Sequence, residues 1–239
     1  PHALLLSGQR MQRSDMVVVL GGDGTMLSLA KYQNEEEIPV VGINMGSLGF
    51  LTEVAVTEAE EMITAALNDE LNVSYRMMLH TELVRESSTQ PLQRVLNDVV
   101  INKSALARIF DVEVTIDGEA ITTIRADGII LSSPTGSTAY NLAANGPIVH
   151  PEMEVILLTP ICPHMLTYRP VVLPGEAVVE LKLVDGEETY LTLDGQAGFP
   201  LQMGDVVRVL RSSKKMTILS PRRRSFFRVL RNKLKWGDR

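Results

Sequence analysis

The apolar run Met16-Val17-Val18-Val19-Leu20 passes directly into Gly21-Gly22-Asp23-Gly24-Thr25. A short buried strand emptying into three glycines constrains this chain more than any other feature. Such a loop turns tightly and brings bare backbone close to a ligand. Met26 to Lys31 then reads as a helix, so unpaired N–H groups and a helix dipole would face that ligand, an arrangement suited to phosphate oxygens. Asp23 adds a carboxylate that a pure phosphate cradle would not want. It suits a base on an attacking hydroxyl or a contact to Mg²⁺. The bland alternative makes Asp23 a helix N-cap in an ordinary strand-to-helix turn.

A second strand, Ile38–Asn44, ends in another loop with two glycines, Met45-Gly46-Ser47-Leu48-Gly49-Phe50-Leu51. Buried strands alternating with helices imply a parallel sheet whose ligands sit at the strand carboxyl ends, so both glycine loops belong on one edge. Thr57–Asn68 has helical spacing, with Thr57 and Glu60 as a capping box. From about residue 72 the pattern changes to short alternating stretches. They cover 73–83, 92–101, 110–116, 120–124 and 128–132, then 169–173, 177–184, 189–193, 206–210 and 216–219, with Asp117-Gly118 as a hairpin turn. The expectation is an α/β + β chain with three parts. Residues 1–72 form a Rossmann-like α/β domain with a parallel sheet, 73–220 a β-rich sandwich-like domain, and 221–239 a basic amphipathic tail packing back on the first.

Charge is uneven. Eleven Lys or Arg and one acidic residue lie from Leu210 onward, leaving 12 basic and 28 acidic residues before it. An acidic body argues against nucleic acid as the main partner. Arg222-Arg223-Arg224 followed by Phe226, Phe227, Val229, Leu230, Leu234 and Trp236 looks amphipathic and suited to docking. No apolar run approaches the ~20 residues of a membrane helix, and no signal-peptide pattern is present. Cys162 is the single cysteine, and the histidines (His2, His80, His150, His164) show no metal-ligand spacing. These features suit a cytoplasmic protein without a zinc site.

A second constellation is Arg125-Ala126-Asp127-Gly128 followed by Ser133-Pro134-Thr135-Gly136-Ser137-Thr138-Ala139-Tyr140. Its hydroxyls can line a pocket for a polyhydroxyl ligand, Asp127 can accept from a ribose or an amide, and Tyr140 can lie along a base. An N-capped Ser/Thr loop explains the composition equally well. Asn97-Asp98, a polar pair inside a strand, must find partners or cost ~1–3 kcal/mol per unsatisfied group. A nucleoside would supply them, and a bulge or turn is an equal alternative. Asp194-Gly195-Gln196 reads first as a turn.

Together, GGDGT after a strand, GINMGSLGFL, an Asn-acid pair and D-G-x5-PTGSTAY resemble the NAD kinase family over roughly residues 16–200. GGDG alone is shared with diacylglycerol, sphingosine and phosphofructokinase-type kinases, while TGSTAY singles out NAD kinases. The resemblance implies transfer of the ATP γ-phosphoryl group to the 2′-hydroxyl of the NAD adenosine ribose. It matches Asp23 to the catalytic acid and places Gly21, Gly22, Gly24 and Thr25 at the phosphates. It implies dinucleotide binding by Gly24, Phe50, Asn97, Asp98, Arg125, Asp127, Thr135, Thr138, Ala139 and Tyr140, with Gln196 beside them. Cys162 and His164 fall in the segment that the family often takes from a neighbouring subunit. A homodimer or homotetramer with a shared NAD site is therefore expected. Mg²⁺ accompanies ATP, or another divalent cation in its place, with no metal held in a protein cage. The family's acid in the Asn-acid pair is often Glu, and here it is Asp98. Two rival readings are a lipid kinase of the diacylglycerol or sphingosine type and a non-catalytic NAD(P)-binding sensor.

Overall fold

A computed structural model describes residues 14–32, 37–46, 48–105, 107–223 and 225–236. His2, Ser47 and Arg224 lie outside the described residues. In chain order the elements are β1 (Val17–Leu20), α1 (Asp23–Leu27), β2 (Val40–Asn44), β3 (Val54–Ala55), α2 (Ala59–Leu67), β4 (Leu71–Arg85), β5 (Ser88–Val95), β6 (Asp98–Lys103), β7 (Phe110–Ile116), β8 (Glu119–Ala126) and β9 (Gly128–Ser132). Then come α3 (Tyr140–Ala143), β10 (Val155–Ile161), β11 (Val171–Pro174), β12 (Val179–Asp185), β13 (Thr189–Leu193), β14 (Ala197–Pro200), β15 (Val206–Pro221) and α4 (Phe226–Leu234). The chain forms two compact units, residues 1–76 with 214–239, and residues 77–213. The boundaries fall inside β4 and β15, four residues after the 72/73 and seven before the 220/221 read from composition.

The first unit is a parallel α/β arrangement. β2 is central and buried along its whole length. It pairs in parallel with β1 (Val17 opposite Val40), with the end of β15 (Ile218 opposite Val40) and with β3 (Ile43 opposite Val54). A strand covered on both faces needs a continuous apolar run, which Val40-Val41-Gly42-Ile43 provides. Met62 of α2 packs on Val41, Ile43 and Val54. The Thr57–Glu60 capping box does not form: Val56–Glu58 is a single 3₁₀ turn, and the Glu58 carboxylate accepts the Ala55 N–H at 3.0 Å instead. The C-terminal segment belongs to this unit, as its amphipathic pattern implied. Ser225 caps α4 by accepting the Arg228 N–H, and Leu230 is the residue it buries. Phe227 and Trp236 remain more than half exposed, while Phe226, Val229 and Leu234 are half-buried, so the apolar stripe docks without those two aromatics.

The second unit is an antiparallel sandwich. One sheet contains β12 between β15 and β7, with β8 outside β7. The other runs β11-β10-β9-β6-β13-β14. One core joins both inner faces: Val112 and Val114 of β7 and Val179 and Leu181 of β12 meet Val99, Ile101, Ile129, Leu131, Ile156 and Leu191. Asp117 and Gly118 both have positive φ (52° and 82°), the backbone a two-residue hairpin of this twist demands.

Three strands escape the sequence pattern, the two-residue β3 among them. β10 contains Pro160, which weighs against a central strand. Its pairing with β11 covers Val155–Leu158, so Pro160 sits beyond it, where the missing N–H costs no bond. β14 is four residues carrying Gly and Pro. The stretches 206–210 and 216–219 are one continuous strand, and the polar residues between them stay in it because Ser212 is buried and Arg211 pairs with Glu154 and Glu176.

Candidate functional site

In the first unit the glycines divide their work. The Gly21 N–H donates to the Ile43 carbonyl at 2.9 Å, and a Cβ there would lie 2.4 Å from Thr25 Oγ1. Gly21 therefore serves the turn and its seating on β2. Gly22 and Gly24 face open space. Gly22 is the N-cap, and Asp23 is the first helical residue with no capping bond, so the bland reading of Asp23 is not realised. Helix begins within the glycine loop rather than after it.

The Asp23 carboxylate is held instead by the second glycine loop. Oδ2 accepts the Phe50 N–H at 2.7 Å. Oδ1 accepts the Leu51 N–H at 3.1 Å, the Thr52 N–H at 3.0 Å and the Thr52 hydroxyl at 2.9 Å. Thr52 Oγ1 in turn accepts from Asn44 Nδ2 at 2.7 Å, and Asn44 Oδ1 accepts the Gly46 N–H at 2.6 Å. A polar relay thus runs from the end of β2 to the carboxylate. A Cβ on Gly49 would come within 1.9 Å of Asp23 Oδ1, so only glycine lets the two loops meet. Sequence reasoning missed Thr52 and Asn44. Their one signal was a polar residue ending each apolar run.

In the second unit a cleft of about 340 Å³ is lined by Asn97, Asp98, Asn102, Ala139, Tyr140, Thr192 and Asp194, with Val100 and Gly195. Asp194-Gly195 is the turn it was read to be, with both residues at positive φ. It is also an anchor. The Asp194 carboxylate accepts the N–H groups of Leu96 (2.9 Å), Asn97 (2.8 Å) and Asp98 (3.1 Å). The Thr135–Thr138 turn, a 3₁₀ segment, lies against the same strand end: the Ser133 N–H donates to the Asn97 carbonyl at 2.8 Å, and a Cβ on Gly136 would sit 2.3 Å from that carbonyl oxygen.

The hydroxyls of this loop are not equivalent. Ser133 donates to the Leu96 carbonyl. Ser137 exchanges bonds with the Val149 backbone. Asn141, another residue the sequence reading passed over, bonds the Ser137 and Pro147 carbonyls and accepts from Thr159. These side chains build the loop. Thr135 Oγ1 and Asn97 Oδ1 differ, being buried without a hydrogen-bond partner. Asn102 Oδ1, also on the cleft wall, shares this property, as do Thr81 and Thr189 away from it. Thr138 Oγ1 makes a long bond of 3.4 Å to the Thr135 carbonyl, and Tyr140 is 46 % exposed at the cleft.

The remaining residues singled out by sequence gather elsewhere in this unit. Arg125 makes a two-pronged pair with Asp111 at 2.8 and 3.0 Å. Asp127 lies 3.7 Å from Lys103 Nζ. The His164 N–H donates to the Arg125 carbonyl, the Asp127 N–H donates to the Ile161 carbonyl, and exposed Cys162 sits at φ 46° between them. This group stands before the first residue of β9, whereas Ser133–Tyr140 follows its last. A five-residue strand holds its first and last Cα atoms about 13 Å apart. Gln196 is exposed in the β13–β14 turn, next to the cleft residue Gly195.

Electrostatics single out the Asn-acid pair. Burial, and then the nearby Asp194 charge, push the Asp98 carboxyl up to about 7. Burial also raises Asp194, opposed by its three N–H donors. Asp98 is therefore the member half-protonated near neutrality, while the three donors on Asp194 favour its charged form. No group of three or more His, Cys, Asp or Glu gathers among the described residues. No helix among them is long and apolar enough to cross a membrane.

Residues 5–71 match the family model of the ATP-NAD kinase N-terminal domain, and residues 96–220 that of the C-terminal domain. Among curated relatives, an NAD kinase of Geotalea daltonii is 48 % identical over 95 % of this chain and 81 % of its own length. One of Geobacter metallireducens is 52 % identical over 95 % and 80 %. A yeast NADH kinase solved with NADH superposes with a TM-score of 0.87 at 29 % identity, covering 98 % of this chain and 70 % of that one. An NAD kinase from Archaeoglobus fulgidus solved with ATP gives 0.81 at 27 %, covering 96 % and 86 %. These likenesses take in Thr135–Tyr140 as well as the first glycine loop, and they set aside the lipid-kinase and sensor readings.

Proposed function

We propose a reaction for this chain, which belongs to the NAD kinase family: it transfers the γ-phosphoryl group of ATP to the 2′-hydroxyl of the adenosine ribose of NAD, giving NADP and ADP. The observation that carries the mechanism is the hold on Asp23. A secondary hydroxyl is a weak nucleophile, and phosphoryl transfer depends on alignment and charge neutralisation more than on a strong base. Four donors fix the carboxylate, three of them on Oδ1. Oδ2 accepts one and so keeps a lone pair for the 2′-hydroxyl proton. As the new O–P bond forms and the bond to the β-phosphate oxygen breaks, that proton passes to Asp23 Oδ2.

The divalent cation that such a transfer uses is Mg²⁺ borne by ATP. A magnesium ion keeps much of its coordination to phosphates and water and asks few ligands of the protein, which suits a cation that arrives with the nucleotide. When bound, the cation neutralises charge on the phosphates. Gly22 and Gly24, with no neighbour over their Cα atoms, leave room for phosphate oxygens, and Thr25 stands beside them.

The cleft of the second unit binds the dinucleotide. Asp98 receives ribose hydroxyls, Asn97 Oδ1 and Thr135 Oγ1 take donors they otherwise lack, and Tyr140 lies along a base. The Arg125–Asp127 and Cys162–His164 group lies at the other end of β9 from Ser133–Tyr140, beside Asn102 of the cleft wall, which pairs with Gly128. The family resemblance of this segment is what supports a homodimer or homotetramer with a shared dinucleotide site. The lone Cys162 suits a reducing compartment such as the cytoplasm.

The test is NADP formation from NAD, ATP and Mg²⁺, with Asp23→Asn beside the wild type. Wild-type turnover and a loss of about two decades in the variant, with NAD binding retained, are expected. A loss under threefold removes Asp23 from the base role.

A further inference from the structure

The first unit contains a second cleft, of about 330 Å³, that the reaction above leaves unassigned. Leu48, Gly49 and Glu53 form one wall, and Arg228, Val229, Asn232 and Lys233 of α4 form the other. The four helix residues are two i, i+4 pairs side by side, so they make one face. Leu230 points the other way, into the core. Neither Arg228 nor Lys233 makes an ion pair among the described residues. Glu53, the acidic residue on the wall, already engages a partner.

The position of the cleft gives it meaning. Gly49 is both its wall and the glycine whose missing Cβ makes room for Asp23 Oδ1. Gly49 therefore stands between the cleft and the Asp23 carboxylate, which is not itself on the cleft wall. The chain has no Walker lysine, yet three phosphates converging on a carboxylate need cations in addition to the metal ion. We propose that this cleft holds the phosphoanhydride chain of the phosphoryl donor, with the Arg228 guanidinium and the Lys233 ammonium neutralising its oxygens. Arg228 offers a planar fork matched to phosphate, and Lys233 a mobile point charge. The volume suits a triphosphate and part of its ribose, leaving the base outside.

This rests on the kinase reading, so its test includes a measurement that does not require turnover. Arg228→Gln, Lys233→Gln and the double variant are compared with the full wild-type chain. NADP formation is followed with ATP and NAD each varied, inorganic tripolyphosphate is titrated as an inhibitor against ATP, and melting is recorded with and without tripolyphosphate. The expected result is a KM for ATP raised about fivefold in each single variant and tenfold or more in the double. The KM for NAD stays within twofold, and the tripolyphosphate inhibition constant rises in step with the KM for ATP. Tripolyphosphate raises the melting temperature of the wild type and not of the double variant. A KM for ATP within twofold of wild type in the double variant overturns the proposal, as do equal rises for ATP and NAD. A wild type that forms no NADP but is still stabilised by tripolyphosphate through Arg228 and Lys233 removes the proposed reaction and leaves the anion cleft standing.

Discussion

The two units hold their functional groups in opposite ways. In the α/β unit, Asp23 sits at the start of a five-residue helix and is held by backbone N–H groups of another loop. In the β unit, Asp98 is the first residue of a strand inside a six-stranded sheet, and a hairpin carboxylate clamps the chain that delivers it. The carboxylate proposed to react is held by loop N–H groups, where a small adjustment can align it. The carboxyl proposed to recognise the ribose is built into a sandwich, where its burial changes its chemistry. Protein functions that need motion and functions that need a fixed dielectric are thus assigned to different kinds of scaffold.

The comparison breaks most sharply at Asp23. Asp23→Asn is expected to lower kcat about a hundredfold while the melting temperature moves little, because an amide oxygen still accepts part of the loop's hydrogen bonds. Next comes Gly49→Ala, which drives a methyl into the Asp23 carboxylate. The two loops must separate, so kcat should fall about tenfold at a stability cost of about 1–3 kcal/mol, measurable by denaturant titration.

In the β unit the effect should move from kcat to binding. Asp194→Ala leaves three N–H groups without their acceptor. A loss of about 3 kcal/mol and a raised KM for NAD with KM for ATP unchanged are expected. Asp194→Asn restores part of both, because Asn tolerates the left-handed backbone (φ 51°) and offers an acceptor. An equal rise in both KM values would show that the clamp is not confined to the dinucleotide side.

The smallest effect on binding is a pH profile. The folded Asp98 carboxyl titrates at about 7 against 3.8 in its ordinary state. Between these values the folded chain binds a proton that the unfolded chain does not, so this group's contribution makes stability fall from about pH 4 to about pH 7 and level off above. Ribose hydroxyls need the ionised form as acceptor, so NAD affinity should rise severalfold across the same titration, between pH 6 and 8. Asp98→Asn should flatten both curves, and a wild-type affinity independent of pH would detach Asp98 from the ribose.

Much of this was legible in sequence because the signals were local. β7, β9 and β13 run where alternation or continuous apolar residues placed them, and Asp117-Gly118 turns as its residue types require. β10 was hidden by Pro160, whose tolerance depends on where the neighbouring strand stops. Asn97 and Asp98 were visible as a polar pair out of place, but nothing in their own neighbourhood named Asp194, 96 residues onward from Asp98, as their clamp. Thr52 and Asn141 looked ordinary because a buried hydroxyl or amide has no periodicity of its own.

The chain order of apolar runs, glycines and turn residues determined the classes of element, the α/β-then-β division and the candidacy of Asp23, since each depends on steric and hydrophobic preferences within a few residues. Only the tertiary structure decided that Asp23 is held by four donors from residues 50–52, that Gly49 must lack a side chain, and that Asp98 is half-protonated near neutrality. Close approach, hydrogen-bond partnership and local dielectric are properties of residues distant in sequence and near in space.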